Sequence, residues 1–211
     1  MAYDLQEQEQ IDGLKAFWTR YGNLITTIVT VVLLAFAAYR GWLWYQDKNA
    51  GEAAMAYEQL RQASDSKDLA KVQAAAGVVL EKYSGTVYGP MAALIAAKAY
   101  TEGKDLKNAK ANLQWLLDKA PEGEFRQVAR VRLAGLLLDE KQYDDALKLL
   151  AGPEPGSYAA SYADRRGDIL LAQGKNDEAR AAYKLALERF DGTSPLRRLV
   201  QLKLDSIGSG S

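Results

Sequence analysis

Residues 21–39, between Arg20 and Arg40, are nineteen consecutive residues without a charge. At about 1.5 Å rise per residue an α-helix of this length extends roughly 28 Å, close to the roughly 30 Å hydrocarbon core of a bilayer. Aromatic residues typical of the two membrane–water interfaces flank the stretch, with Trp18 and Tyr21 before it and Trp42, Trp44 and Tyr45 after it. The pattern predicts a transmembrane helix with its aromatic flank over residues 21–45. Its edges are marked by Tyr21, Tyr39, Trp42 and Trp44.

Three threonines inside the span are compatible with lipid, because each hydroxyl can donate to the backbone carbonyl one turn earlier. They are Thr26, Thr27 and Thr30. A cleaved signal peptide is one alternative, favoured by the small residues Ala35 and Ala37, but residues 1–20 are acidic where a signal peptide is basic. A buried core helix is the other, but such a helix rarely stays uncharged on every face for this length.

The charges flanking the span do not decide its orientation. Two basic residues precede it, Lys15 and Arg20, and two follow it, Arg40 and Lys48. Because a long domain is also translocated largely regardless of charge, either side of the membrane is possible for the remainder of the chain. The absence of cysteine from the sequence fits both sides and removes disulfides, thiol catalysis and thiolate metal sites.

The composition of the segment after the span argues against catalysis and against polyanion binding. Of the 27 basic and 27 acidic residues of the chain, 23 and 22 lie after residue 48, so this segment has a net charge of +1. Nucleic-acid binding is not expected without a basic stripe. The chain contains no histidine, and it has no Gly-rich phosphate loop. We therefore predict no enzyme, cofactor, metal or small-molecule substrate; an enzyme would have to use carboxylates and lysines alone.

A repeat of helix pairs organises the segment after the span. Each unit has a small residue, a large one three positions later, a turn, an alanine and a bulky residue four positions after that. The three units are Ala97, Tyr100, Gly103, Ala109 and Leu113; Ala134, Leu137, Lys141, Ala146 and Leu150; and Gly167, Leu170, Gly174, Ala179 and Tyr183. The alanines after the turns are 37 and 33 residues apart, which brackets the 34-residue period of tetratricopeptide repeats. An ordinary helical bundle is the alternative, but it does not explain the recurrent order.

Helices before and after the repeats complete the predicted fold. Segments 53–63 and 69–83 form another pair, compatible with a degenerate first repeat. Ser194 and Pro195 suit the start of a final helix, and its apolar residues, Leu196, Leu199, Val200, Leu204 and Ile207, are expected to cap the stack. The predicted fold is all-α: a single transmembrane helix, then a tetratricopeptide-like α-solenoid with a C-terminal capping helix. Its parts are residues 1–20 (tail), 21–45 (span), 46–207 (solenoid) and 208–211 (flexible tail).

The concave side of such a solenoid is lined by the first helix of each pair and is the predicted partner-binding groove. By repeat position the candidate residues are Lys98, Thr101 and Glu102 from the first unit, Val131, Leu138 and Asp139 from the second, and Asp164, Asp168 and Leu171 from the third. Apolar groups supply burial and charged groups select register, so an extended or helical peptide is the expected ligand. Solvated surface or core packing is the competing interpretation for each residue.

Several segments in a specific order resemble the YfgM family, the ancillary SecYEG translocon subunits of Gram-negative bacteria. After an acidic leader come IDGLKAFWTRYGN, YRGWLWY, VYGPMAALIAAKAYTEGKDLKNAKANL, YADRRGDILLAQGKNDEARAAY and SPLRRLVQLKLDSI. The resemblance implies a cytoplasmic N-terminus, one inner-membrane span and a periplasmic tetratricopeptide-like domain. It also implies association with the SecYEG translocon and the periplasmic chaperone PpiD, handling of exported client proteins, and a link to envelope stress responses.

Three function classes follow from the sequence. A translocon adaptor comes first, a general envelope scaffold for cell-wall or outer-membrane assembly comes second, and an enzyme comes third. The identity of the partners found by crosslinking in intact cells separates the first two classes.

Overall fold

A computed structural model describes residues 2–152 and 156–208, and within these ranges all regular secondary structure is helical. The helices in the described ranges are α1 (Ala2–Asp65), α2 (Leu69–Lys82), α3 (Tyr88–Glu102), α4 (Leu106–Lys119), α5 (Glu124–Asp139), α6 (Tyr143–Leu149), α7 (Ala159–Ala172), α8 (Asn176–Arg189) and α9 (Pro195–Ser206). A 3₁₀ turn, Gly156–Tyr158, precedes α7. The all-α prediction is confirmed.

The chain divides into two compact units, Met1–Glu52 and Ala53–Ser211. We call the latter the C-terminal unit, to distinguish it from the repeat units that it contains. In the first unit, α1 carries an apolar stretch long enough to cross a membrane, and only 6% of its most apolar window is buried. Large apolar side chains such as Leu24, Val32 and Phe36 are exposed there. A helix in the core of a globular domain would bury these side chains, so the buried-helix interpretation is excluded.

The three threonines of the apolar stretch bond as predicted. The hydroxyl of Thr27 donates to the carbonyl of Asn23 at 2.7 Å, and that of Thr30 donates to the carbonyl of Thr26 at 2.8 Å. The hydroxyl of Thr26 donates to the carbonyl of Gly22 in the same way. Each polar group is therefore satisfied within the helix, as the interior of a bilayer requires.

The C-terminal unit has the same left-handed backbone conformation in the turn that follows the first helix of each helix pair. The residue in the left-handed conformation is Lys67, Lys104, Lys141 or Gly174, with φ of 57°, 61°, 62° and 76°. After α3 the N–H of Asp105 donates to the carbonyl of Tyr100 at 2.8 Å, and Gln142 and Lys175 make the equivalent bonds after α5 and α7. The turn at Lys67 follows the end of α1, so the segment from Ala53 and α2 form a pair whose turn has its left-handed residue at the same place as in the three predicted repeats.

Packing within each unit follows the predicted small and large positions. The small residue and the bulky residue are sixteen positions apart in all three units: Ala97 with Leu113, Ala134 with Leu150, and Gly167 with Tyr183. All six are buried. A Cβ at position 167 would lie 2.5 Å from Cε1 of Tyr183, so the larger ring of the third unit requires a glycine opposite it.

Helix α9 packs against the last pair with only part of its predicted apolar stripe. Val200 is fully buried, and Leu204 and Ile207 pack beside it against the cluster that contains Tyr183. Leu196 and Leu199 are exposed, so their predicted place in the capping contact is wrong. The five positions span roughly 140° of the helix surface, and the three that pack, Val200, Leu204 and Ile207, occupy one side of this arc. Of the predicted flexible tail, Gly208 follows α9 and residues 209–211 lie outside the described residues.

Candidate functional site

A cavity of about 330 Å³ lies between the first helices of the repeats. We call it the α3–α5 groove. It is lined by Ala97, Lys98, Thr101 and Glu102 of α3, Leu113 of α4, Arg132, Gly135, Leu136 and Asp139 of α5, and Arg165 of α7. Four predicted residues, Lys98, Thr101, Glu102 and Asp139, are therefore brought together there. Whether they contact a partner stays a prediction.

Charges of both signs stand over an apolar floor in this groove. The ammonium of Lys98 lies 3.7 Å from the carboxylate of Glu102, and both side chains are exposed. Arg132 and Asp139 are also exposed and form no ion pair with any residue that the structure describes. The floor consists of buried Ala97, Leu113 and Leu136. Unpaired charges at the rim of an apolar floor can select a peptide by charge and hold it by burial.

The hydroxyl of Thr101 is not free to bind a ligand as a donor. It donates to the carbonyl of Ala97 at 2.8 Å, within its own helix. Its oxygen can still accept a hydrogen bond from a peptide in the groove. Thr101 is therefore an acceptor at this surface.

Two arginines of the groove were absent from the sequence prediction. Arg132 and Arg165 each stand two positions before the small residue of their unit, and Ile95 occupies this position in the first unit. The guanidinium of Arg165 lies over Gly135, where a Cβ would be 3.3 Å from its Cζ. Its Nε is buried without a partner among the described residues. The repeat alignment itself was the signal that could have found both arginines.

The predicted apolar residues Val131, Leu138 and Leu171 are half-buried and pack against the core rather than lining the groove. Val131 and Leu138 pack against the cluster that contains Ala134, and Leu171 packs against the cluster that contains Tyr183. Their stretches of helix face the neighbouring helix, which explains their burial. A contact with a partner stays a prediction for all three.

The predicted acids Asp164 and Asp168 lie in an ion-pair cluster with helix α9. The ammonium of Lys203 is 2.7 Å from Asp164 and 2.8 Å from Asp168. The phenol of Tyr183 donates to Asp168 at 2.8 Å, and Arg165 pairs with Asp168 at 3.2 Å. The two carboxylates are thus paired within the C-terminal unit, where they hold α9 against α7.

Burial changes the proton affinity of this cluster. Desolvation raises the pKa of Asp164 above its ordinary value, while Lys203 opposes the rise. Desolvation also raises the pKa of the Tyr183 phenol, and the neighbouring charge of Asp168 adds to the effect. These shifts are those of a packed ion-pair network and do not require a catalytic role.

The residues that mark the predicted membrane edges are exposed along α1. Tyr21, Tyr39, Trp42 and Trp44 all present large aromatic surfaces. The ammonium of Lys48 lies 5.6 Å from the ring centroid of Trp44, a cation–π contact at the end of the apolar stretch. Aromatic rings with a nearby cation are typical of a membrane–water interface.

The described residues include no group of three or more His, Cys, Asp or Glu side chains that could hold a metal ion. The lining of the α3–α5 groove presents hydrogen-bonding groups, charges and apolar area.

Comparison with known proteins identifies relatives along nearly the whole chain. A protein of Neisseria gonorrhoeae named Ancillary SecYEG translocon subunit is 29% identical over 98% of this chain and 100% of its own length. Proteins with the same name from Escherichia coli and Haemophilus influenzae are each 28% identical, over 95% and 98% of this chain and 96% and 100% of their own lengths. The resemblance to the YfgM family is thereby confirmed. No solved structure matches the chain significantly.

The model of the family described as Tetratricopeptide repeat-like domain matches residues 15–209. This range includes the apolar stretch of α1, all the repeated turns and helix α9. The chain therefore belongs to the tetratricopeptide repeat-like domain family.

Proposed function

We propose that this protein is a membrane-anchored, non-catalytic adaptor of the SecYEG translocon that binds partner proteins in the α3–α5 groove. The shared name of its relatives supports the association with the translocon. The apolar stretch of α1 supports the membrane anchor. Partners proposed from the family resemblance are the translocon itself, the chaperone PpiD and exported client proteins.

One observation supports binding in the α3–α5 groove above all others. Arg132 and Asp139 are both exposed, form no ion pair with the described residues, and line the same apolar floor. A solvated surface charge gains little from its position, but a charge beside an apolar cavity can bind an oppositely charged group as the cavity excludes water. The occupant is a peptide segment with an apolar side chain and charges of both signs.

The proposed topology has residues 1–20 in the cytoplasm, 21–45 in the inner membrane and 46–207 in the periplasm. An alkaline phosphatase fusion at the carboxyl terminus is active only in the periplasm, so an active fusion is expected. A fusion that is inactive, with a cytoplasmic reporter active in the same place, would refute this orientation.

A charge-exchange variant tests the groove. Arg132→Glu combined with Asp139→Lys retains the net charge and reverses both unpaired groups. Photo-crosslinking from position 98 in intact cells should then yield much less adduct with translocon subunits and PpiD. Lys107→Glu is the matched control, because Lys107 is exposed on α4 and does not line the groove.

Each result of this experiment has a defined meaning. Adducts that are unchanged in the charge-exchange variant contradict binding in the groove. Adducts with cell-wall or outer-membrane assembly proteins in place of the translocon favour the general scaffold instead. Loss of adducts in Lys107→Glu as well would show that charge at large, and not the groove, controls the association.

A further inference from the structure

Helix α9 exposes a row of three leucines on the side that does not pack against α7 and α8. Leu196, Leu199 and Leu202 are 49%, 48% and 61% exposed, and their spacing of three residues places them along one face of the helix. The end of a solenoid normally presents a polar outer face, because exposed apolar ends associate. This row is therefore an unpartnered apolar face, which we call the α9 stripe.

Two opposite charges accompany the α9 stripe on one flank. Arg198 and Asp205 are exposed and seven residues apart, about two helical turns, so that they lie on the same side of the helix. The basic residue is near the start of the helix and the acidic residue is near its end. Arg198 forms no ion pair among the described residues, and Asp205 accepts a hydrogen bond from Gln201 at 2.8 Å.

This arrangement of charges is self-complementary in one orientation. When two copies of a helix pack antiparallel about a two-fold axis, the same flank of each helix lies on the same side of the pair. Arg198 of each copy then faces Asp205 of the other, which gives two opposite-charge contacts. In a parallel pair the corresponding flanks lie on opposite sides, and neither contact forms. We propose that the occupant of the α9 stripe is a second copy of this chain, packed antiparallel through α9.

The size of the stripe makes this a weak interface in free solution. A helix of 12 residues extends about 18 Å, and two such faces bury less than the roughly 1,200 Å² of a stable standard interface. Confinement to one membrane raises the effective concentration of two anchored copies and compensates for the small area. The association is accordingly expected in membranes and is expected to be lost on dilution in detergent. It does not depend on the α3–α5 groove.

Single cysteines test the register directly, because the chain contains no cysteine of its own. With Arg198 opposite Asp205, the two-fold axis passes between residues 201 and 202, so position 202 of one copy lies beside position 202 of the other. Position 196 lies about 16 Å along the helix axis from its counterpart, which exceeds the roughly 7 Å Cα separation that a disulfide can span. Full-length Leu202→Cys in native membranes should form a disulfide-linked homodimer under mild oxidation, and Leu196→Cys should not.

Charge reversal tests the same pairing by a second route. Arg198→Glu in the Leu202→Cys background should lower the yield of homodimer at least several-fold, and adding Asp205→Arg should restore it. Glutamate in the first turn and arginine in the last turn both favour the helix dipole, so loss of the dimer could not be attributed to an unfolded α9.

Three results would overturn the proposal. Absence of a homodimer from Leu202→Cys, with native far-UV circular dichroism, would show that the α9 stripes of two copies do not meet. Equal crosslinking at positions 196 and 202 would indicate random collision or a parallel pair. An adduct of Leu202→Cys with a different protein, in place of the homodimer, would show that the occupant of the stripe is a heterologous partner.

Discussion

Substitution of Gly167 by alanine perturbs the closest approach between the two helices of the third unit. The added Cβ would lie 2.5 Å from Cε1 and 2.6 Å from Cδ1 of Tyr183, where unstrained carbon atoms are about 3.5–4.0 Å apart. Tyr183 is 1% exposed, and its hydroxyl donates to Asp168 at 2.8 Å. The ring cannot move aside without losing this bond, so α7 and α8 have to separate.

The expected cost is larger than the gain in helix propensity. Overpacking of a core costs about 1–3 kcal/mol, while exchange of glycine for alanine within a helix contributes up to about 1 kcal/mol in the opposite sense. We expect a net loss of about 1.5 kcal/mol in the free energy of unfolding. For a chain of this size the midpoint of thermal unfolding should fall by about 4 °C.

Thermal unfolding of the full-length chain in detergent, followed by far-UV circular dichroism, measures this change. Gly77→Ala is the matched control, because a Cβ at Gly77 of α2 would meet nothing within 4 Å. This substitution gains helix propensity without a steric cost and should raise the midpoint. Opposite signs for two glycine-to-alanine exchanges would identify the steric contact as the cause.

A double-mutant cycle decides whether Tyr183 is the group responsible. Tyr183→Leu with Gly167→Ala recreates the alanine and leucine pair that the first two units carry at Ala97 and Leu113 and at Ala134 and Leu150. In the leucine background, Gly167→Ala should cost nothing or stabilise. An equal cost in both backgrounds would refute the reasoning, because the two sites would then be uncoupled.

Two further predictions concern ion pairs of the C-terminal unit. Lys203→Met retains the apolar stem but leaves Asp164 and Asp168 without their shared cation. We expect the free energy of unfolding to fall by about 2 kcal/mol and amide hydrogen exchange to become faster throughout α9. Unchanged exchange in α9 would show that the ion pairs do not hold this helix. Hydrogen bonds from Arg61 lower the pKa of Glu58 to about 2 from 4.5, so the stability that this carboxylate contributes is complete above pH 4.5 and is lost as the pH falls toward 2. The midpoint difference between wild type and Glu58→Gln should therefore be smaller at pH 3 than at pH 7, and a difference that grows on acidification would contradict this assignment.

Features that depend on residues close together in the chain were predictable from the sequence. The uncharged stretch between Arg20 and Arg40 has the length of a bilayer, and the hydroxyls of its threonines bond to carbonyls one turn away. The repeated small residue, turn and alanine have spacings set by one pair of helices. Helical period and turn conformation are local properties, so the pattern of residues is sufficient to indicate them.

Only the tertiary structure decided which side chains meet across different helices. Lys203 is 39 residues from Asp164 in the sequence, and this spacing does not predict their contact. Arg132 and Arg165 enter the groove, and Leu196 and Leu199 turn away from the stack, because the rotation of each helix about its own axis depends on how its neighbours pack. The sequence alone was therefore sufficient to predict the helices and their repeat. The groove and the exposed face of α9 depend on how each helix is oriented against the next, and the shapes of buried side chains such as Tyr183 set that orientation.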